Sequence, residues 1–156
     1  MSLYGVLLAL HNILRWVVVI TAGLALYRAY RGLATKSEWN ATDRKAGVFF
    51  GVSMDIQLLL GLILYLFLSE FGLKNFLDSQ RGMAFIQSAG GDYIFFAMEH
   101  IFSMIIATVL AHVGSARAKK AADSLSKHRQ AAIFYSLAVL FVLTAIPWWR
   151  PLFPGL

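Results

Sequence analysis

Three long apolar stretches of this chain each carry a charged residue that hydrocarbon disfavours: Arg15, Asp55 and Glu99. Two of these stretches also carry a histidine, His11 in the first and His100 in the third. One charge at the centre of a bilayer costs roughly 2.5–3.5 kcal/mol on the insertion scale, whereas a central Leu, Ile, Phe or Val contributes only about 0.3–0.6 kcal/mol in favour. These five side chains must therefore pair with one another, face water or bind a ligand.

The composition is typical of a membrane protein. Charged residues make up 14% of the 156 residues and apolar residues 59%, whereas a soluble domain has roughly 25% charged residues. The length predicts a single domain over residues 1–156. The chain has no cysteine, which excludes disulfides, thiolate metal ligands and thiol nucleophiles. Because no basic residue precedes the first apolar run, we expect that run to be a retained helix and not a cleaved signal peptide.

Four stretches are long enough to cross a bilayer as helices, which needs about 17–25 residues each. The sequence therefore predicts an all-α fold, a four-helix transmembrane bundle. The predicted spans are residues 4–26, 47–68, 93–114 and 131–149.

The loop between the second and third spans has the pattern of a short amphipathic helix lying in the membrane interface. Its apolar and its polar residues fall on different helical faces. The last span ends in residues that favour the same interface. The apolar face comprises Leu73, Phe76 and Leu77, the polar face Lys74, Asp78 and Arg81, and the interface anchors Trp148, Trp149 and Arg150.

The distribution of basic residues predicts the orientation. The first and third loops carry five basic residues each, whereas the second carries two. By the positive-inside rule the first and third loops face the cytoplasm, and both termini lie outside it. These basic residues lack interleaved aromatic residues, so we expect them to contact lipid and not nucleic acid. They are Arg28, Arg31, Lys36, Arg44 and Lys45 in the first loop, Lys74 and Arg81 in the second, and Arg117, Lys119, Lys120, Lys127 and Arg129 in the third.

The depths of the polar residues match between helices. His11 and His100 each lie seven residues into their span from the outer side, or about 10 Å deep at 1.5 Å per residue. Arg15 lies one turn deeper than His11, and Asp55 enters from the cytoplasmic side to the same level. We therefore expect the two histidines to face one another, and Arg15 to form an ion pair with Asp55. Small or polar residues share these faces, namely Ala22 and Ala25 on the first span, Gly51 on the second, and Ala97, Ser103, Ala107, Ala111 and Gly114 on the third.

Two imidazoles at one depth on two helices can supply both axial ligands of a haem b. No C-x-x-C-H motif is present, so such a haem would be bound non-covalently. Arg15 would offset a haem propionate or pair with Asp55. The second imidazole N–H would be accepted by a nearby polar side chain, which fixes the tautomer. Two bound imidazoles leave no open iron position, so the haem would transfer electrons. The candidate acceptors are Asn12, Glu99 and Ser103.

Two other functions remain open on the residues alone. If the histidines are hydrogen-bonding residues between helices, the chain is a cofactor-free accessory subunit that packs against a larger membrane complex. If His11, His100, Glu99 and Asp55 bind zinc or copper, it is a metal-binding or transport protein, although Glu99 and His100 are adjacent and diverge around the helix. We expect His128, in the third loop, to be a solvated interface residue. No hydrolytic motif occurs, which favours a non-enzymatic role.

Six segments resemble a group of short, four-span bacterial membrane proteins that are often labelled cytochrome-b-like, and the resemblance covers nearly the whole chain. It implies a haem b electron carrier, or a small subunit of a respiratory or photosynthetic complex, in the bacterial inner membrane. It also implies His11 and His100 as the haem ligands. The chain departs from the broader class of two-haem, four-helix cytochrome b bundles, because its second and fourth predicted spans contain no histidine. The segments are LHNILRW, D-x-QLLLGLILY, MEH-x-x-x-M, LAHVGSARAKKAAD, KHRQAAIF and AIPW.

Overall fold

The structure is a computed structural model that describes residues 2–78 and 91–150. These residues contain helices and no strand. A π-helical turn continues the second long helix, and another leads into the third. The helices are α1 (Leu3–Thr35), α2 (Ala41–Ile63) with the turn Leu64–Leu68, α3 (Leu73–Leu77), α4 (Gly91–Ile94) with the turn Phe95–Glu99, α5 (His100–Lys120) and α6 (Ser124–Ala145).

Four helical segments are long and apolar enough to cross a membrane, which confirms the predicted fold class and indicates a multi-pass membrane protein. They begin with α1, α2, α4 and α6. At the basic loops α1, α2, α5 and α6 extend past the predicted spans, because basic residues are good helix formers whose charged ends reach back to water. At the other end α6 stops at Ala145 instead of 149, since Pro147 disfavours helical backbone before it.

The four long helices form a ring in which α1 contacts α2 and α6, and α5 contacts the same two helices. The centre is filled largely by alanines, which allow helix backbones to approach closely in lipid. The small-residue faces predicted for the first and third spans are buried as expected. They include Ala22 and Ala25 on α1 and Ala97, Ala107, Ala111 and Gly114 across α4 and α5.

Side-chain caps begin α2 and α6. Asn40 and Asp43 form a reciprocal capping box at the start of α2. Asp123 accepts hydrogen bonds from the backbone N–H and the hydroxyl of Ser126. These hydrogen bonds hold the pKa of the Asp123 carboxyl below its usual value. Both caps lie at the end of the bundle that carries the basic loops, so the loop ends of these helices are fixed.

The prediction that His128 is solvated is wrong. His128 is completely buried within α6, where its ring lies edge-on to Trp39 with 4.9 Å between ring centroids. Gly32 of α1 leaves the space that the imidazole occupies, because any Cβ at that position would overlap the ring. The packed core thus continues beyond the apolar spans, which the hydropathy pattern did not indicate.

The segment Leu73–Leu77 is helical, at the place where the sequence predicts an amphipathic helix. Its position in the membrane interface stays a prediction. The rest of that predicted element, including Arg81, lies outside the described residues.

A buried ion pair joins α1 to the start of α2. Arg28 Nε lies 2.7 Å from Asp43 Oδ1, and the two side chains are 19% and 3% exposed. Asp43 also accepts the backbone N–H of Asn40. Asp43→Ala is therefore expected to lower the free energy of unfolding by about 2 kcal/mol or more, because Arg28 is left without its partner. The measurement is thermal unfolding in detergent, followed by tryptophan fluorescence.

Asp123→Ala is the matched control for this prediction. It removes an acidic cap from another helix at the same end of the bundle, but its carboxylate is solvent-exposed and makes no ion pair with any described residue. Its loss of stability should be clearly smaller. Equal losses for Asp43→Ala and Asp123→Ala would mean that the ion pair adds nothing to the cap.

Candidate functional site

A cavity of about 320 Å³ lies in the half of the bundle that contains the start of α1 and the end of α6. This volume is within the range of about 300–1,000 Å³ that small-molecule and cofactor sites occupy. The first half of α1, the end of α2, the start of α5 and the end of α6 surround it. Four residues predicted from the sequence line it, namely His11, Asn12, Arg15 and His100.

The two histidines face each other across this cavity. Their ring centroids are 6.2 Å apart and their planes are inclined at 69°. His100 Nδ1–H donates a hydrogen bond to the Ala145 carbonyl, with 2.7 Å between the atoms. This bond fixes the proton on Nδ1 and leaves Nε2 of the neutral ring with its lone pair. Nδ1 of His11 is buried and has no hydrogen-bond partner within the described part of the chain, which is uncommon for a buried polar atom.

Two residues of α2 position His11. Gln57 Nε2 donates to the His11 carbonyl oxygen at 2.8 Å, which ties α1 to α2 at this level. Gly61 lies against the imidazole, since a Cβ there would be 3.1 Å from Cε1 of His11. The sequence analysis missed both residues. The signal that could have found Gln57 is a single amide within the apolar run of the second span.

The π-helical turn Phe95–Glu99 positions His100. The backbone N–H of His100 bonds to the Phe95 carbonyl, and Tyr65 donates its hydroxyl to the Ala97 carbonyl at 2.9 Å. A π turn inserts an extra residue into the helical repeat, and such turns are frequent at functional sites. This insertion sets the direction in which His100 leaves the helix. A sequence reading that assumes a uniform α-helical repeat does not predict this direction.

Two arginines border the cavity at different levels. Arg15 is only 8% exposed and lies one turn beyond His11. Arg150 lies nearer the chain terminus, where its Nη2 is 2.7 Å from Asp92 Oδ2. Its guanidinium lies 4.4 Å from the centroid of the Phe96 ring. The sequence analysis expected Arg150 only as an interface anchor, whereas the structure makes it part of the cavity wall.

The expected ion pair between Arg15 and Asp55 is corrected by the structure. Asp55 Oδ1 lies 2.7 Å from Nε2 of His112, and both side chains are about half exposed. Met54 and Gln57 are the buried residues on either side of Asp55, so they mark the face that α2 turns to the bundle interior. Asp55 therefore lies at the seam between α2 and α5, on the outside of the bundle.

Glu99 and Ser103 do not reach the histidines. They line a separate open groove between α5 and α6, together with Thr144. The N–H of His100 is accepted by the Ala145 carbonyl and not by any of the side chains Asn12, Glu99 or Ser103. The predicted acceptors are therefore wrong for His100. A backbone carbonyl was not among the predicted acceptors, although Pro147 indicates where the helix ends.

Comparisons of the chain with models of known protein families, with curated proteins and with solved structures found no match. Among the residues that the structure describes, no group of three or more His, Cys, Asp or Glu side chains is placed to hold a metal ion. The argument for function therefore depends on the cavity and its two histidines.

Proposed function

We propose that the chain binds one haem b non-covalently between His11 and His100, and that it carries electrons in a membrane. The observation that supports this is the separation of the two rings. Two imidazoles that both bind one metal ion at about 2.0–2.1 Å, the distance known for zinc, with about 1.1 Å from the nitrogen to the ring centre, would have centroids no more than about 6.3 Å apart. The observed separation is 6.2 Å.

The chemistry of the cavity fits this group. His100 offers Nε2 because its Nδ1–H is held by the Ala145 carbonyl, and this second bond also raises the basicity of the ligand. Gly61 leaves room beside His11. Arg15 and Arg150 line the cavity, and Arg15 would supply positive charge for a propionate, whereas Arg150 is already paired with Asp92. A bound haem would supply one-electron transfer, and His11 and His100 would be the residues that hold it.

The residues of the chain orient the ligands and exclude water. The Ala145 carbonyl fixes one ring, and Gln57 fixes the backbone that carries the other. Apolar and aromatic side chains form much of the remaining wall. Such a wall lowers the local dielectric, which tunes a redox potential. The principal members of this wall are Leu8, Leu58, Leu64, Tyr65, Phe71, Phe96, Ile101 and Met104.

The surroundings of the protein are part of the same proposal. The basic loops α1–α2 and α5–α6 lie at one end of the bundle and favour the cytoplasmic side of a bacterial inner membrane. The cavity would then lie in the outer leaflet, with both termini outside the cytoplasm. In that position the protein would act as an electron carrier or as a small subunit of a respiratory or photosynthetic complex. A bare metal ion fits less well, since protein zinc sites use three or four side-chain ligands.

The experiment is an absorption spectrum of the protein purified in mild detergent from haem-replete cells. We expect a red preparation, with Soret and α bands in the reduced-minus-oxidised difference spectrum and about one haem per chain. A colourless, folded preparation that also fails to take up added haemin would contradict the proposal. That result would favour the cofactor-free accessory subunit, whose partner would then be sought by co-purification.

A further inference from the structure

A polar pair lies on the outer surface of the bundle, at the seam between α2 and α5. His112 Nε2–H donates to Asp55 Oδ1 at 2.7 Å, and the two side chains are 52% and 49% exposed. The four exposed residues that lie three or four positions from the pair on these two helices are all apolar. Val52 and Leu59 flank Asp55 on α2, Val109 flanks His112 on α5, and all three are exposed. The pair therefore lies among mostly apolar side chains on the outer surface of the bundle.

The depth of the pair makes contact with lipid unfavourable. Asp55 lies ten residues after Lys45 and His112 lies five residues before Arg117, or about 15 Å and about 8 Å along the two helix axes, so both residues lie inside the predicted spans. Ionisable residues in membrane spans almost always face a bundle interior or a water-filled cavity. The cavity of this bundle does not include either residue. A protein surface that covers the pair would remove this cost.

We propose that a second copy of this chain covers the pair, so that the seam between α2 and α5 is the interface of a symmetric dimer. The pair has a negative end at the Asp55 carboxylate and, when the ring carries both protons, a positive end at the His112 imidazolium. Since α2 and α5 lie side by side, the line from one end to the other runs mainly in the membrane plane. A two-fold axis along the membrane normal reverses this line, so each Asp55 faces His112 of the second copy.

The pair also has hydrogen-bonding capacity left for such a contact. In the ion pair of an Asp55 carboxylate with a doubly protonated His112 ring, Asp55 keeps a second oxygen that accepts and His112 a second N–H that donates, and neither atom makes a hydrogen bond to another described residue. Polar side chains that bond across helices stabilise association within membranes. The surface is thus complementary to itself, whereas a different protein would have to supply a matching pair of its own.

Disulfide cross-linking in native membranes tests this interface, and the chain has no cysteine that would interfere. Two differently tagged chains, Leu59→Cys and Val109→Cys, are co-expressed and then oxidised. Leu59 lies four residues after Asp55, and Val109 lies three residues before His112. Because α2 and α5 run in opposite directions, both lie about 5 Å to the same side of the pair. We expect a covalent dimer that contains both tags.

The control pair is Val17→Cys with Leu140→Cys, on α1 and α6. These residues are 41% and 57% exposed, against 60% and 55% for Leu59 and Val109. They lie on the opposite side of the ring of helices. We expect no dimer from this pair. Equal cross-linking of the two pairs, no cross-linking of the first pair, or a disulfide to another protein would overturn the proposal.

A second comparison shows whether the polar pair holds the interface. Asp55→Leu in the Leu59→Cys and Val109→Cys chains should lower the cross-linked fraction about tenfold, since each dimer loses two interhelical contacts. The exchange variant Asp55→His/His112→Asp reverses both ends of the pair and should restore cross-linking. Cross-linking that is unchanged by Asp55→Leu would overturn the role of the pair.

Discussion

If the proposed haem site is right, His100→Ala and His11→Ala should each lower haem occupancy by more than about tenfold, because each removes one of the two proposed ligands. The measurement is the loss of the α band from the absorption spectrum of the reduced protein. The two variants should be equivalent in occupancy, although His100 has a hydrogen-bond partner and His11 Nδ1 is without one within the described residues. Added imidazole should restore part of the spectrum, which separates a lost ligand from a lost fold.

Glu99→Gln is the matched control for this prediction. Glu99 precedes His100 in the chain, but its side chain is exposed in the groove between α5 and α6. The spectrum of this variant should match that of the unmodified protein. Gly61→Ala should give an intermediate result, because its Cβ would press on the His11 ring without removing a ligand. Full haem occupancy in both alanine variants of the histidines would end the proposal of axial ligation.

Gly32→Ala should lower the free energy of unfolding by about 3 kcal/mol, at the upper end of the effects of overpacking. Any Cβ at residue 32 would overlap the imidazole of His128. That ring is completely buried and packs on Trp39, so it has no free space into which to move. The measurement is thermal or denaturant unfolding of the purified protein in detergent, followed by tryptophan fluorescence.

Gly23→Ala is the control on the same helix. No atom lies within 4 Å of a Cβ built at Gly23, so this substitution should be neutral or should stabilise α1 by up to about 1 kcal/mol. The double variant Gly32→Ala/His128→Ala should be more stable than the sum of the single changes predicts, because the overlap is removed. If Gly32→Ala and Gly23→Ala behave alike, α1 and α6 do not pack as closely as described.

The number and type of the helices could be predicted from sequence because length and hydropathy are properties of a single segment. The four spans and the alanine faces of α1 and α5 follow from that information alone. The level of His11 and His100 also follows, because depth depends only on a count of residues from a span end. These properties need no knowledge of the neighbouring helices, and the structure agrees with them.

Lateral direction could not be predicted in the same way. Asp55 and Gln57 are two residues apart in one apolar run, yet Gln57 contacts His11 whereas Asp55 contacts His112. Which neighbouring helix each side chain meets depends on the order of the four helices around the bundle, and a count of residues does not give that order. The π-helical turn before His100 changes direction again, because it departs from a uniform helical repeat. Glu99 was predicted as a candidate acceptor although it diverges from His100 around the helix, and it lines the separate groove between α5 and α6.

The end of α6 and the orientation of the His100 ring have a common cause. In an uninterrupted helix the Ala145 carbonyl would accept the N–H of Trp149, four residues on. Pro147 ends the helix before that hydrogen bond can form. The Ala145 carbonyl oxygen is therefore free to accept a hydrogen bond from the His100 imidazole of α5. Pro147, which has no backbone N–H, thus sets the tautomer of His100, a residue of another helix that lies far earlier in the chain. A substitution of Pro147 that let α6 continue would return the Ala145 carbonyl to a backbone hydrogen bond, and the His100 ring would then be free to rotate.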